Sequence, residues 1–368
     1  MVPYIARKIE NDHVVWFEKS NQWVLFEEPK WFIFDLFNKG IERDNAIKDF
    51  AQKYGIGRPE SSIIVSNIYD SVTKLFNPDF ALPNFTSQSE QVRKYDLKDK
   101  RTHSYSFNQK GFSISYGSQG LREYFHKALQ HLEIKESSNF EIEAEIFPFN
   151  QLYALRFNGG ECFSAQESSQ IKRLLYIKLA SLFYGINAGQ WLTLLHASAV
   201  KAGEHSIVMA SPSGSGKSYM AHLLCAEGCE FISDDFIPVD AINKFAYPFP
   251  AAICLKGESP PEQQYIQLKH QQHRSKLRYI YPPKASDPKG GKIDAIVFIR
   301  YIPLYKNEIA PLSTINALKL FLGEAWVTNN SHYIPEFLDW FAGLRFFELN
   351  YGDERAAVST LLEITQKK

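Results

Sequence analysis

The sequence predicts an α/β protein in which a mixed sheet with flanking helices carries a strand, a glycine-bearing loop and a helix, preceded by a small α+β, winged-helix-like module. Three observations predict it. An apolar run, Ile207-Val208-Met209-Ala210, opens into Ser211-Pro212-Ser213-Gly214-Ser215-Gly216-Lys217-Ser218 and then into a helix-like stretch from Tyr219 to Gly228. The N-terminal residues carry short alternating runs followed by helical patterns, and a composition of 45% hydrophobic and 14% aromatic residues supports packed cores rather than disorder. A length of 368 residues allows two or three domains.

In the N-terminal module, Pro3 to Ile9, His13 to Phe17 and Gln22 to Phe26 read as a small antiparallel β unit separated by polar turns. Lys30 to Asn38, with Trp31, Phe34 and Phe37, reads as a helix stopping at Gly40. Arg43 to Tyr54 ends at Gly55, and Pro59 to Phe76 carries the stripe Ile64, Ile68, Val72 and Leu75. Asn77 to Glu90 reads as a linker, and Arg93 to Arg101 as a solvated face of mixed charge. Tyr105 to Tyr116 is predicted as strand with a turn at Gly111, Leu121 to Leu132 as helix, Phe140 to Phe147 and Leu152 to Phe157 as a hairpin, and Gln166 to Tyr184 as a long amphipathic helix. Trp191 to Val200, containing His196, leads into the strand of the loop; Glu230 to Ser233 is a further strand ending in Asp234-Asp235. Asn316 to Leu322, Pro335 to Leu344 and Glu354 to Thr365 read as helices, and Phe346 to Leu349 as a strand. The boundaries expected are 1–80 for the module, 81–100 for the linker and 101–368 for the second domain, divided at 190/191.

The loop chemistry follows from residue types. Glycines let the backbone close around an anion, consecutive N–H groups and the helix N-terminus point at it, and Lys217 adds a fixed positive charge. Ser218 would supply a hydroxyl to the magnesium that accompanies a nucleotide, so ATP or a similar phosphate donor is the expected ligand. Ser211 stands where the GxxxxGK[ST] pattern has its first glycine. Asp234 and Asp235 are suited to holding magnesium and to taking a proton from an attacking hydroxyl. As neighbours on a strand they should point to opposite faces and do different work. The bland alternatives are that Asp-Asp begins a turn and that His196 is a hydrogen-bonded core residue.

The 41 basic and 41 acidic residues cancel, so no overall field favours nucleic acid or an anionic membrane. No apolar stretch has the length of a membrane span and no secretory segment is evident, which makes the cytoplasm the expected location. Cys162, Cys225, Cys229 and Cys254 form no CxxC pair; Cys225 and Cys229 read as core packing, with no zinc and no disulfide assigned.

The N-terminal pattern of Trp23-Val24-Leu25-Phe26, Phe34 to Gly40, Ala46 to Gly55 and Ser61 to Phe76 resembles the PqqD-like peptide-recognition element of ribosomal peptide biosynthesis. That resemblance implies a leader peptide added as a strand beside Gln22 to Phe26 and packed against the third helix; the other reading is a winged helix that only supports the next domain.

The ordered set Leu195-His196-Ala197-Ser198-Ala199-Val200, Ser213-Gly214-Ser215-Gly216-Lys217-Ser218 and Ile232-Ser233-Asp234-Asp235 resembles the HPr kinase/phosphorylase catalytic domain, a P-loop kinase fold of the HPr kinase/PEP carboxykinase type. Tyr247-Pro248-Phe249-Pro250 with Leu255-Lys256, Tyr281-Pro282-Pro283 and Ile296-Val297-Phe298-Ile299-Arg300-Tyr301 look more like HPr-kinase-related enzymes associated with peptide modification. The resemblance implies that Lys217 and the backbone of Ser213, Gly214, Ser215, Gly216 and Ser218 hold the donor phosphates, with Ser218 on Mg2+. It implies Asp234 as general base, Asp235 as support for metal or substrate, and His196 beside the transferred phosphate. Lys256 and Arg300 are weaker candidates for neutralising transition-state charge. Glu258 is a loose match for a downstream acidic metal ligand, and Ser259 to Pro283, with His270, His273 and Arg274, resembles a substrate-side loop.

The expectation is an ATP-dependent serine kinase acting on a ribosomally made precursor peptide captured by the N-terminal module, with homo-oligomers suggested by family likeness. The alternatives are a kinase for an HPr-like protein or a small molecule such as free serine, and a non-catalytic nucleotide-binding scaffold that delivers peptide to a partner enzyme.

Overall fold

The computed structural model describes residues 3–75, 86–87, 90–135, 140–256, 277–281 and 285–366. Its first elements are β1 (Tyr4–Ile9), β2 (Asp12–Phe17), β3 (Gln22–Phe26), α1 (Glu28–Asn38), α2 (Arg43–Tyr54) and α3 (Arg58–Leu75). Next come β4 (Thr86–Ser87), α4 (Glu90–Lys94), β5 (Arg101–Phe107), β6 (Lys110–Tyr116), α5 (Gln119–Leu129), β7 (Ile142–Phe149), β8 (Leu152–Phe157), β9 (Glu161–Ala165) and α6 (Ser168–Tyr184). The middle of the chain forms β10 (Trp191–Leu195), β11 (Ala197–Ala202), β12 (His205–Ala210), α7 (Lys217–Ala226), β13 (Glu230–Asp234), β14 (Ile237–Asp240), β15 (Ile253–Lys256) and β16 (Leu277–Ile280). The last are β17 (Ala295–Tyr301), β18 (Glu308–Pro311), α8 (Thr314–Glu324), β19 (Ala325–Val327), α9 (Ile334–Ala342), β20 (Arg345–Tyr351) and α10 (Glu354–Gln366). The protein is mixed α/β, with several sheets, two of which combine parallel and antiparallel pairs.

The chain divides into two compact units that do not follow the contiguous 1–80 and 101–368 boundaries. The first contains the described residues of Met1–Asn84 together with Ser313–Leu322 and Thr328–Ala342; the rest forms the second. The reason lies in β2, whose Val14, Val15, Trp16 and Phe17 are all buried, so the sheet β1-β2-β3 needs cover on both faces. Val15, Phe17 and Phe26 pack with Phe34 of α1 and Val72 of α3 on one side. On the other, the Trp23 ring lies 5.5 Å from Phe337 of α9, Arg7 pairs with Asp339, and Lys319 approaches Asp12 at 3.6 Å. The helices nearest in sequence cover one face only.

In the second unit, one six-stranded sheet runs β4-β9-β8-β7-β6-β5, and α5 and α6 pack on it through Phe125, Leu129, Leu175 and Leu179. The segment expected as linker and solvated face is part of this layer. β4 pairs with β9, Val92 of α4 is buried beside Phe147 and Cys162, and the Arg156 guanidinium donates to the carbonyls of Val92, Arg93 and Tyr95. An internal cation has fixed the backbone there. Residues 77–85 and 88–89 of that segment, and Phe76 at the end of the third predicted helix, lie outside the described residues.

The other six-stranded sheet, β13-β11-β12-β17-β20-β18, places β12, β17 and β20 parallel. Met209, Val297 and Leu349 from these strands meet Met220 and Leu224 of α7 and Leu361 of α10. Cys225 and Cys229 are buried in the same cluster. The run expected as one strand from Trp191 to Val200 is two: β10 joins the sheet β14-β10-β19, while β11 joins the six-stranded one. His196 lies at the change of sheet, where its N–H donates to the Glu324 carbonyl at 2.9 Å. It is the one exposed residue in a run buried on both sides. Among the described residues no helix is long and apolar enough to cross a membrane.

Candidate active site

The loop between β12 and α7 takes its shape from two glycines. Gly214 and Gly216 have φ of 90° and 99°, a region that side chains rarely occupy. Gly216 is constrained twice, because a methyl group there would collide with the Tyr351 hydroxyl. Ser211 is not among the positive-φ residues, so a serine in place of the first glycine carries no left-handed strain; its hydroxyl donates to the Ala210 carbonyl. Gly216 is also the N-cap of α7 and has no side chain to cap it, which leaves first-turn N–H groups available to an anion. Gly216, Lys217, Ser218 and Tyr219 border a cavity of about 520 Å³. Lys217 is buried, and its ammonium donates to the carbonyls of Ser211 and, at 3.3 Å, Pro212. Burial pulls its pKa down against the nearby Glu324, Asp234 and Asp235.

One wall of the cavity is built around Asp234, which is 2% exposed. Its Oδ1 accepts from Ser198 Oγ at 2.5 Å and from Ser218 Oγ at 3.0 Å, and its Oδ2 from the Cys254 N–H at 3.2 Å. Ser198 of β11 is the cross-strand partner of Asp234, so the β-register itself supplies the hydroxyl. Burial, with the like charge of Asp235, raises the Asp234 pKa, and the hydrogen bonds from Ser198, Cys254 and Ser218 oppose the rise.

The other wall belongs to Asp235. It stands one residue beyond β13 at φ 71°, with its N–H donating to the Ala197 carbonyl at 2.9 Å. That left-handed step corrects the expectation of opposite faces: both carboxylates reach the same cavity. The Asp235 side chain is 44% exposed; Oδ1 lies 2.7 Å from His196 Nε2 and Oδ2 2.5 Å from Lys172 Nζ. Burial works against its charge, but the hydrogen bond with His196 and the Lys172 ammonium outweigh it and hold the carboxyl well below the usual range. For Lys172, burial is outweighed by Tyr176 and Asp235, which leaves the ammonium above the usual lysine range. Burial raises Tyr176 itself to about 12, so at neutral pH Asp235 is the anion that Lys172 faces. His196 Nδ1 lies 3.6 Å from Glu324 Oε2, which places the ring between two carboxylates.

The cavity thus brings together Ser213, Gly214, Gly216, Lys217, Ser218, His196, Asp234, Asp235 and Lys256. Lys256 donates to Ser213 Oγ at 3.2 Å. Ser215 and Arg300 are not among the lining residues; Ser215 Oγ is buried without a hydrogen bond, and Arg300 is exposed at the end of β17. Glu258, His270, His273, Arg274, Pro282 and Pro283 lie outside the described residues. Sequence reading missed Lys172, Ser198 and Glu324. Ser198 carried a signal, two residues beyond His196 in a strand adjoining the loop strand, whereas Lys172 is a polar position on a long helix with nothing local to mark it.

No protein-family model matches the chain, and no curated protein matches it. Among solved structures it is similar to the Hpr(Ser) kinase/phosphatase from Coxiella burnetii, with 11% identity over 47% of this chain and 93% of that chain and a TM-score of 0.24.

Proposed function

We propose that the protein is an ATP-dependent phosphotransferase that delivers a phosphoryl group to an alcohol. The observation that carries this reading is the Ser218–Asp234 hydrogen bond at the uncapped N-terminus of α7, with the exposed Asp235 in the same cavity. Ser218 and Asp234 offer hard oxygen donors that fit Mg2+, and the open helix terminus with Lys217 fits a polyphosphate. When bound, Mg2+ would neutralise charge on the phosphate oxygens.

The chain's own groups divide the remaining work. Lys217 would turn from the loop carbonyls to the phosphates, and Lys256 would add a second positive charge beside the loop. Asp235 would accept the alcohol proton as the alcohol oxygen bonds to the terminal phosphorus and the bond from that phosphorus to the bridging oxygen breaks. His196 and Lys172 hold the Asp235 carboxylate by one oxygen each, which fixes its orientation. This assigns metal binding to Asp234 and proton transfer to Asp235, the reverse of the roles implied by the family resemblance.

For the acceptor we propose a serine of a precursor peptide. The order β1-β2-β3 leaves Gln22–Phe26 at a sheet edge among the described residues, a place where an extended chain can add by backbone hydrogen bonds. The test is incubation of the full chain with Mg2+ and ATP labelled in its terminal phosphate, with a serine-containing peptide encoded beside its gene, free serine and HPr supplied separately. Label on the peptide serine is expected, reduced about 10²- to 10³-fold by Lys217→Ala. Label on free serine or HPr instead would replace the peptide acceptor. Label on none, or undiminished transfer by the variant, would overturn the phosphotransferase reading.

A further inference from the structure

A second cluster of metal-binding side chains, none of which lines the cavity, lies in the layer of α5 and the β5–β6 pair. We propose that His103, His126 and Glu133 form a site for a divalent transition-metal ion of the zinc class. One ligand atom from each lies within 4.8 Å of the others. His103 Nδ1 is 2.7 Å from Glu133 Oε1, while His126 Nε2 is 4.0 Å from Oε2, beyond hydrogen-bond reach. The two imidazoles stack with centroids 4.0 Å apart, so both rings meet the same carboxylate.

The surroundings of His126 separate a ligand site from a simple carboxylate clamp. His126 is only 7% exposed, and its Nδ1 lies 2.8 Å from Tyr105 Oη, which in turn lies 3.0 Å from Tyr116 Oη. When Nδ1–H donates to Tyr105, the Nε2 lone pair is left facing Glu133. One ring nitrogen oriented by a buried partner and the other aimed at convergent donors is how metal-binding histidines are usually held. A clamp would use His103 and Glu133 alone and leave His126 Nε2 facing Oε2 at 4.0 Å.

The backbone fixes the three donors in place. His103 is on β5, His126 is on α5, and Glu133 pairs with Tyr105 in a β-bridge next to the short 3-10 turn Gln130–Leu132. Two imidazoles and one carboxylate favour zinc over the all-oxygen sites that magnesium and calcium prefer. The side chains of His103 and Glu133 are 18% and 38% exposed, which gives an ion a route from solvent and leaves room for a water as fourth ligand. The absence of zinc-type cysteine spacing does not bear on this site, because none of its ligands is a cysteine.

The test is titration of the metal-free full chain with Zn2+ alone, without nucleotide. One equivalent should bind, with affinity falling about 100-fold or more in Glu133→Gln and His126→Gln and about 10- to 100-fold in Tyr105→Phe, whose hydroxyl only orients a ligand. Asp234→Asn should remove only weaker Zn2+ binding in the cavity and leave intact the tight equivalent lost in Glu133→Gln and His126→Gln, which separates the two sites. Should a buried-site variant fail to fold, the Co2+ absorption spectrum of the unaltered protein still decides the matter: low-coordinate nitrogen–oxygen bands support the site, and an aqua-ion spectrum overturns it. Absent Zn2+ binding, or binding unchanged by Glu133→Gln and His103→Gln, would also overturn it.

Discussion

The two walls of the cavity hold identical side chains one residue apart in environments that push them in opposite directions. Asp234 is buried, accepts from two hydroxyls and an N–H, and pairs with no cation among the described residues. Asp235 is half-exposed and held by an imidazole and an ammonium. Burial raises the first pKa, and the His196 hydrogen bond with the Lys172 ammonium lowers the second. Paired carboxylates whose surroundings separate them are suited to different jobs. Both carboxylates line the cavity, and the proposed division gives the more exposed Asp235 to the acceptor and Asp234, fixed by its three donors, to the metal.

The sharpest way to break this contrast is Asp235→Asn. It keeps the size and one acceptor of the side chain but removes the proton acceptor and the partner of Lys172. A loss of about 10²- to 10⁴-fold in kcat is expected, with nucleotide affinity nearly retained. A variant that turns over normally but binds ATP poorly would move Asp235 to the metal side and undo the division. Asp234→Asn is the complementary change, and its effect should be smaller and of another kind. The Mg2+ concentration needed for half-maximal activity should rise about 10- to 100-fold, with much of kcat recovered at saturating Mg2+. Ser218→Ala should shift the same quantity in the same direction, because both oxygens act at one place. If magnesium dependence is untouched in both variants while kcat collapses, Asp234 is the base after all.

The same contrast shows what the sequence could and could not disclose. The loop from Ser211 to Ser218 was legible because its chemistry is local: two positive-φ glycines, an uncapped helix start, and a lysine and serine in fixed succession. The aspartate pair was legible as a pair. Its geometry was not, since strand alternation assumes both residues stay in the strand, and Asp235 leaves it at φ 71°. His196 was named through the family resemblance, but its exposed place at a change of sheet was hidden, because a run apolar on both faces gives no sign of where one sheet ends and the next begins. Lys172 and Glu324 come from segments distant in sequence, and only tertiary structure brings them to Asp235 and His196. The N-terminal sheet makes the same point on a larger scale. Its three strands and first three helices could be read nearly to the residue, but the helix that covers its other face begins at Ile334, far along the chain.

Opposed pKa directions also predict opposed effects of pH on stability, the smallest of the expected effects and the one that needs no substrate. Asp235 is depressed in the folded state, so its contribution is fully present above the unfolded value of about 3.9 and is lost as pH falls through the lower folded value. Asp234 is raised, so its contribution is fully present below about 3.9 and is lost as pH rises through the higher folded value. Urea unfolding midpoints measured against pH should therefore respond to the two Asn variants in separate windows. Asp235→Asn should flatten the acid-side fall below the ordinary carboxylate range. Asp234→Asn should flatten a shallow rise seen as pH is lowered from neutral towards that range. The Asp235 window closes where the Asp234 window opens, so two profiles that both run parallel to the wild type would show that the walls do not differ electrostatically, and two that change in the same window would show that the pair titrates as one group.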